Sequence, residues 1–144
     1  MDAKNSTIER KWVSLQEIKT EMTNKRHMHK IYHLGTCDTC QRIIKELQPL
    51  DGFELQDIKT EAITEKQLEE MHSLAGSYEG LFSKRARLYR QMGLHEKELS
   101  EADYKNLILE QYTFLKRPVI LVDDQIFIGN SKKTVAAARE AIHN

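Results

Sequence analysis

The 144-residue sequence predicts an α/β domain built on a four-stranded mixed sheet. Three observations predict it: a strand–helix–strand pattern early in the chain, two apolar runs around an acidic turn near its end, and only helical signals between them. The expected order is βαβ, a helical insertion over about residues 64–115, and then ββα. Composition agrees, because a chain that is 40% hydrophobic and 31% charged can bury one core beneath a charged surface.

The first unit opens with a β-branched and aromatic run over residues 30–34, which favours a strand. A turn at Gly35-Thr36 leads into a helix over about residues 38–48, whose apolar residues recur at helical spacing. Alternating apolar and polar residues over 53–58 predict a second strand. Two strands joined by one helix within about 20 residues are typical of parallel pairing.

Helical signals fill the middle of the chain. Thr64 and Gln67 can form a capping box that opens a helix ending at Gly76. A second helix is predicted from Leu81 to Met92, since Gly93 follows it. A third is predicted from Ser100 to Leu115, with acidic residues in its first turn.

The last third returns to strands. Arg117-Pro118 precedes an apolar run over residues 119–122, and Asp123-Asp124 then turns the chain into a second run over 125–129. Ser131 is placed to cap a final helix. The complete order predicts a thioredoxin-like arrangement, in which Pro118 and the start of the first helix meet at one end of the sheet.

Cys37 and Cys40 are the only cysteines, and they lie at the junction between the first predicted strand and the first predicted helix. Unpaired N–H groups and the helix dipole stabilise a thiolate at such a position. The i, i+3 spacing places both side chains on one helical face, within reach of a disulfide. The pattern therefore predicts redox chemistry, with Cys37 as nucleophile and Cys40, one turn deeper, as the resolving thiol.

The cysteines allow two other interpretations. The first is a pair of small buried residues without a redox role. The second is a zinc site that also uses His27, His29 or His33. A Cys-X-X-Cys zinc site usually needs a second paired element, and the chain offers none, so no bound metal is expected.

Two basic stretches are candidates for the same site. Arg117 would bring positive charge close to Cys37, if Pro118 forms the cis bond common in thioredoxin-like folds. The alternative is a plain helix-to-strand loop. The run from Lys84 to Arg90 is either a solvated helix face or a functional patch.

Charge and hydropathy limit the other functions. Lys+Arg and Asp+Glu are equal at 22 each, so direct nucleic-acid binding is not indicated. No apolar run approaches the roughly 18 residues of a membrane span, and no secretory signal is visible, so a cytoplasmic location is expected. For residues 1–27 three interpretations stay open: an appended amphipathic helix, a mobile tail, or a segment upstream of a natural start at Met28.

From Met28 onward the sequence resembles the arsenate reductase-like family, which has a thioredoxin-like fold and includes Spx-type regulators. The resemblance rests on an ordered set of short motifs rather than on any one of them. These motifs are Ile31-Tyr32, Cys37-Asp38-Thr39, Leu81 to Arg85, Tyr89 to Leu94, Lys116 to Val119, and Phe127-Ile128-Gly129.

The resemblance implies a cysteine at position 37 that attacks the substrate, and an arginine at 117 that holds an oxyanion. Two further arginines of arsenate-reducing members are replaced here, by Gly129-Asn130-Ser131 and by Tyr78-Glu79-Gly80. Positions that the resemblance makes candidates for substrate binding are Thr36, Asp38, Thr39, Arg85 and Pro118.

The resemblance implies three functions. One is reduction of arsenate or another small oxyanion. A second is reduction of thiol mixed disulfides, with glutathione or glutaredoxin as reductant and no bound cofactor. The third is an Spx-type redox sensor that binds the C-terminal domain of the RNA polymerase α subunit. We expect a thiol-disulfide oxidoreductase, with the regulator as the alternative.

Overall fold

The computed structural model describes residues 28–144 and contains one four-stranded sheet. The strands are β1 (His29–His33), β2 (Glu54–Asp57), β3 (Val119–Val122) and β4 (Gln125–Ile128), in the spatial order β2-β1-β3-β4. β1 runs parallel to β2 and antiparallel to β3, and β3 and β4 form an antiparallel hairpin. The predicted mixed sheet is therefore confirmed.

Five α-helices accompany the sheet in this part of the chain. They are α1 (Asp38–Glu46), α2 (Glu65–Ala75), α3 (Arg87–Gln91), α4 (Glu101–Glu110) and α5 (Lys132–His143). Short 3₁₀ turns lie at Glu79–Leu81, Leu94–Glu96 and Tyr112–Phe114. No helix among residues 28–144 is both long and apolar enough to cross a membrane. The expectations for residues 1–27 concern a segment outside the described residues.

Alternation along the strands divides the core between the two faces of the sheet. Ile31 and Ile120 point into a cluster with α1 and α5. Tyr32 and Val119 point the other way, into a cluster formed by the insertion. All four side chains are buried, so both faces of the central strands are covered.

The helix predicted from Leu81 to Met92 is wrong over its first half. The chain makes a 3₁₀ turn at Glu79–Leu81 and an irregular segment, and only Arg87–Gln91 is helical. Tertiary pairing explains the difference: Phe82 forms an isolated bridge with Leu115, and the Ser83 N–H donates to the Phe114 carbonyl at 2.7 Å. Backbone groups used across the insertion are not available for a helix.

The third predicted helix is also too long. α4 ends at Glu110, and Gln111 is extended with φ −136° before the 3₁₀ turn at Tyr112–Phe114. Its start is as expected, because Ser100 and Asp103 form a reciprocal capping box. The capping box of Thr64 with Gln67 is confirmed as well.

Candidate active site

A tight turn carries the chain from β1 into α1 and places Cys37 at the helix N-terminus. The Cys37 N–H donates to the Leu34 carbonyl at 3.0 Å, and the Cys37 carbonyl accepts from the Gln41 N–H at 3.1 Å. Cys37 is the N-cap residue, in an extended conformation, and its side chain caps no backbone N–H. Its sulfur therefore lies beside the unpaired N–H groups of the first helical turn.

The Cys37 thiol ionises more readily than an ordinary cysteine. Partial burial by itself would raise its pKa, but the N–H of Cys40, the thiol of Cys40 and the N–H of Thr39 favour the thiolate. The Arg117 guanidinium adds a favourable charge, and the net effect lowers the pKa of Cys37. A partly exposed thiolate of this kind is suited to nucleophilic attack.

Cys40 has the opposite environment. Its side chain is fully buried, and burial raises the pKa of this thiol to about 11, with the negative charge of Cys37 adding to the effect. Both cysteines are free thiols. The pair thus consists of an ionisable, accessible sulfur in front of a protonated, enclosed one.

Cys37 opens into a cleft of about 780 Å³ between the sheet end and the insertion. Thr39 and Arg117 lie beside it, and Ser131, the N-cap of α5, lies on the same wall as Asn130. The insertion supplies the opposite wall, which includes Glu79, Phe82, Ser83, Lys84, Arg85 and Lys116. A cleft of this size can hold an organic ligand as well as a small anion.

Arg117 is anchored by its own segment. The Arg117–Pro118 peptide bond is cis, as expected. Nη1 of Arg117 donates to the carbonyls of Thr113 and Leu115, at 3.2 and 3.1 Å. Its Nε is buried without a protein partner. The guanidinium is therefore held in place and keeps hydrogen-bonding capacity that the described residues do not use.

The insertion wall carries one charged residue, Glu79, that the sequence did not mark as a site residue. Glu79 accepts a hydrogen bond from the Tyr104 hydroxyl at 2.9 Å and pairs with Lys84 at 3.4 Å. These two partners lower the pKa of the Glu79 carboxyl. The position of Glu79 in a motif of the family was the available signal, but nothing in the sequence tied it to Tyr104, which lies 25 residues further along the chain.

The structure brings together four of the predicted site residues and separates the others. Cys37, Thr39, Arg85 and Arg117 line the cleft. Cys40 lies buried behind Cys37. Three further candidates, Thr36, Asp38 and Pro118, are not among the residues that line it; Thr36 and Asp38 are exposed to solvent and Pro118 is buried.

The histidines near the turn have other partners. His29 Nε2 lies 3.2 Å from Asp123 Oδ1 and stacks on Phe53, and His33 Nδ1 lies 3.3 Å from the Gln41 side-chain nitrogen. Within residues 28–144 no three His, Cys, Asp or Glu side chains form a group that could hold a metal ion.

Comparison with solved structures supports the thioredoxin-like fold. An arsenate reductase from Vibrio cholerae aligns with a TM-score of 0.62 at 19% identity, covering 78% of this chain and 99% of that one. An arsenate reductase (ArsC) related protein from Brucella melitensis gives 0.58 at 24%, covering 76% and 92%. A Staphylococcus aureus COL protein gives 0.64 at 24%, covering 76% and 97%. These identities establish the fold alone.

No curated protein sequence matches this chain. A model of the ArsC family does match, over residues 32–138, which include the turn, the insertion, the hairpin and most of α5. The match supports a thiol-dependent oxidoreductase in general terms. Because it spans well over half of the sequence, the chain belongs to the ArsC family.

Proposed function

We propose that this protein is a thiol-disulfide oxidoreductase that reduces mixed disulfides through Cys37 and Cys40. The observation that supports this best is the contrast between the two thiols. Cys37, with its lowered pKa, faces a cleft of about 780 Å³, whereas Cys40 is fully buried behind it with a pKa of about 11. Attack on a disulfide requires an accessible thiolate, and resolution requires a second thiol beside the first one.

In the first step the Cys37 thiolate attacks one sulfur of a substrate disulfide. A bond forms between that sulfur and Sγ of Cys37, the substrate S–S bond breaks, and the second substrate thiol departs as a thiolate. Arg117 stabilises negative charge at this end of the cleft, because its guanidinium already favours the Cys37 thiolate.

In the second step Cys40 loses its proton and attacks Sγ of Cys37. The Cys37–Cys40 disulfide forms, and the first substrate thiol leaves reduced. Two molecules of glutathione, or a glutaredoxin, then return both cysteines to thiols and are themselves oxidised. The high pKa of Cys40 keeps it protonated until the mixed disulfide has formed.

A mixed disulfide fits the cleft better than arsenate does. The wall holds the carboxylate of Glu79 as well as Lys84, Arg85, Lys116 and Arg117, and a carboxylate repels an oxyanion. Asn130 and Ser131 supply only neutral polar groups on the other side. The mixture of charges suits an organic thiol that carries both amino and carboxyl groups.

Turnover with a glutathione mixed disulfide and with arsenate, each coupled to glutaredoxin, tests the proposal. We expect disulfide turnover to exceed arsenate turnover. Cys37→Ser should abolish turnover of the disulfide. Cys40→Ser should trap a mixed disulfide on Cys37 that mass spectrometry detects. Full activity of Cys37→Ser would remove Cys37 from the mechanism.

An Spx-type regulator is the second candidate. Its support is a set of exposed arginines, Arg85, Arg87 and Arg90, none of which forms an ion pair with a residue in the described part of the chain. Titration of the RNA polymerase α C-terminal domain with the reduced and oxidised proteins separates the two candidates. Redox-dependent binding without turnover would favour the regulator.

A further inference from the structure

Asp57 lies beside the turn that carries the two thiols. β2 runs parallel to β1, and the register pairs Asp57 with His33, the last residue of β1. The Ile58 N–H donates to the His33 carbonyl at 2.9 Å and ties the two strand ends together. The Asp57 side chain therefore stands next to Gly35, two residues before Cys37.

Gly35 leaves room for the Asp57 carboxylate. A Cβ added to Gly35 would overlap with Oδ2 of Asp57 and come within 3.3 Å of its Cγ. The backbone of Gly35 does not have the positive φ found at Gly52, Gly76, Gly93 and Gly129. The close approach of Asp57, rather than a left-handed backbone, is thus the reason that a glycine fits here.

The carboxylate of Asp57 lies between two backbone N–H groups. Oδ1 accepts from the Lys59 N–H at 3.0 Å. The Gly35 N–H lies on the other side, and the two N–H groups, Lys59 first, lower the pKa of this carboxylate. An ionised carboxylate between two main-chain N–H groups attracts both and so restrains their relative positions.

The segment beside Asp57 also contacts both cysteines. The Leu34 N–H lies close enough to the sulfur of Cys40 to favour its thiolate. The Leu34 carbonyl accepts from the Cys37 N–H at 3.0 Å and from the Gln41 side chain at 3.2 Å. A shift of the Leu34–Gly35 backbone would therefore move Cys40 relative to Cys37.

We propose that Asp57 is a positioning residue for the resolving step, because it holds the Leu34–Gly35 backbone against which Cys40 is aligned. The inference rests on the proposed function. In that step the Cys40 thiolate, having lost its proton to solvent, bonds to Sγ of Cys37. The bond between Cys37 and the substrate sulfur breaks, and the substrate leaves as a thiolate.

The aromatic disulfide 5,5′-dithiobis(2-nitrobenzoate) separates the two steps. Attack by Cys37 releases one coloured thiolate, and resolution by Cys40 releases a second. Asp57→Asn keeps the side-chain volume but removes the charge and one acceptor. We expect the second release to slow on the order of tenfold relative to the first, because small misalignments of reacting groups are costly. Asp51→Asn, on the exposed loop before β2, is the matched control.

A double-mutant cycle tests the contact itself. Gly35→Ala should slow the second release, since its methyl group displaces the carboxylate. In an Asp57→Ala background the same methyl meets no carboxylate, so Gly35→Ala should add little. Circular dichroism checks that each variant is folded. If Asp57→Asn does not fold, the ratio of the second to the first release rate in Gly35→Ala and in the double variant tests the contact instead.

If the ratio of the second to the first release rate is the same in wild type, Asp57→Asn and Gly35→Ala, the role of Asp57 is overturned while the proposed chemistry stays intact. Additive effects of Gly35→Ala and Asp57→Ala would overturn it too. Absence of the first release from the wild-type protein would instead refute Cys37 as nucleophile, and the role of Asp57 with it. The two failures are therefore distinguishable.

Discussion

One face of the sheet carries α1 and α5, and the other carries the insertion between β2 and β3. The first face is aliphatic, with Ile31, Ile43 and Leu47 in its core. The second contains a group of aromatic rings: Phe82 stacks on Phe114 and packs at a tilt against Tyr104, each at 4.9 Å between ring centroids. Both faces of the sheet are covered by buried side chains, but the kind of side chain differs.

The two faces contribute differently to the candidate site. α1, from the first face, supplies both sulfurs and the N–H groups that lower the pKa of Cys37. The insertion supplies Glu79, Lys84 and Arg85 on the opposite wall. We therefore expect the face with α1 to set the reactivity of Cys37 and the insertion to set which ligands enter the cleft, and variants on each face test this division.

Paired core truncations should have the largest effect. Leu47, the C-cap of α1, and Leu68, in α2, are both fully buried. Leu47→Ala and Leu68→Ala should each lower the free energy of unfolding by about 2–5 kcal/mol, measured with urea. Only Leu47→Ala should alter the rate of Cys37 alkylation, because Leu47 belongs to the face that holds the thiols. An equal change in Leu68→Ala would contradict the division.

The Cys40 thiol should make the reduced protein less stable in alkali. Its pKa is raised from 9.0 to about 11, so the unfolded chain loses this proton first. The contribution is complete below pH 9 and is lost as the pH rises toward 11, by up to about 3 kcal/mol. Cys40→Ala should lack this loss when unfolding is measured below and above the interval. If the free energy of unfolding falls with pH equally in the reduced wild-type protein and in Cys40→Ala, Cys40 is not a buried neutral thiol.

Helix caps on the two faces should have smaller effects. Thr64 caps α2 on the insertion face by a full capping box, whereas Ser131 caps α5 by accepting from the Thr134 N–H. Thr64→Ala and Ser131→Ala should each cost about 1 kcal/mol in thermal or urea unfolding. Ser131 also lines the cleft, so only its substitution should alter turnover. Unchanged turnover in Ser131→Ala would mean that the substrate does not contact the wall of the cleft that contains Ser131.

Arg117→Gln should have the smallest effect on the thiol. The guanidinium lowers the pKa of Cys37, but less than the nearby N–H groups of Cys40 and Thr39 do. The pH midpoint of Cys37 alkylation should therefore rise modestly. Arg85→Gln, from the insertion wall, should leave the midpoint in place. A larger rise in Arg85→Gln would mean that the insertion also tunes the thiol.

Local patterns predicted much of this molecule correctly. The Gly35-Thr36 turn placed Cys37 at the start of α1, and the pair Thr64 and Gln67 marked the start of α2. Signals of this kind succeed because turns and caps are hydrogen-bonded within a few residues. The helix predicted across Phe82 failed for the complementary reason, since its backbone pairs with Leu115, which lies 33 residues further along the chain.

Local patterns in the sequence were enough to predict the order of strands and helices and the position of Cys37 at a helix N-terminus. Those depend on local hydrogen bonding and on hydrophobic periodicity. Tertiary packing brings Glu79, Lys84 and Arg117 to the cleft that Cys37 lines, and puts Asp57 in the space left by Gly35. Such contacts join residues far apart in the chain, and the packing of the two sheet faces brings them together.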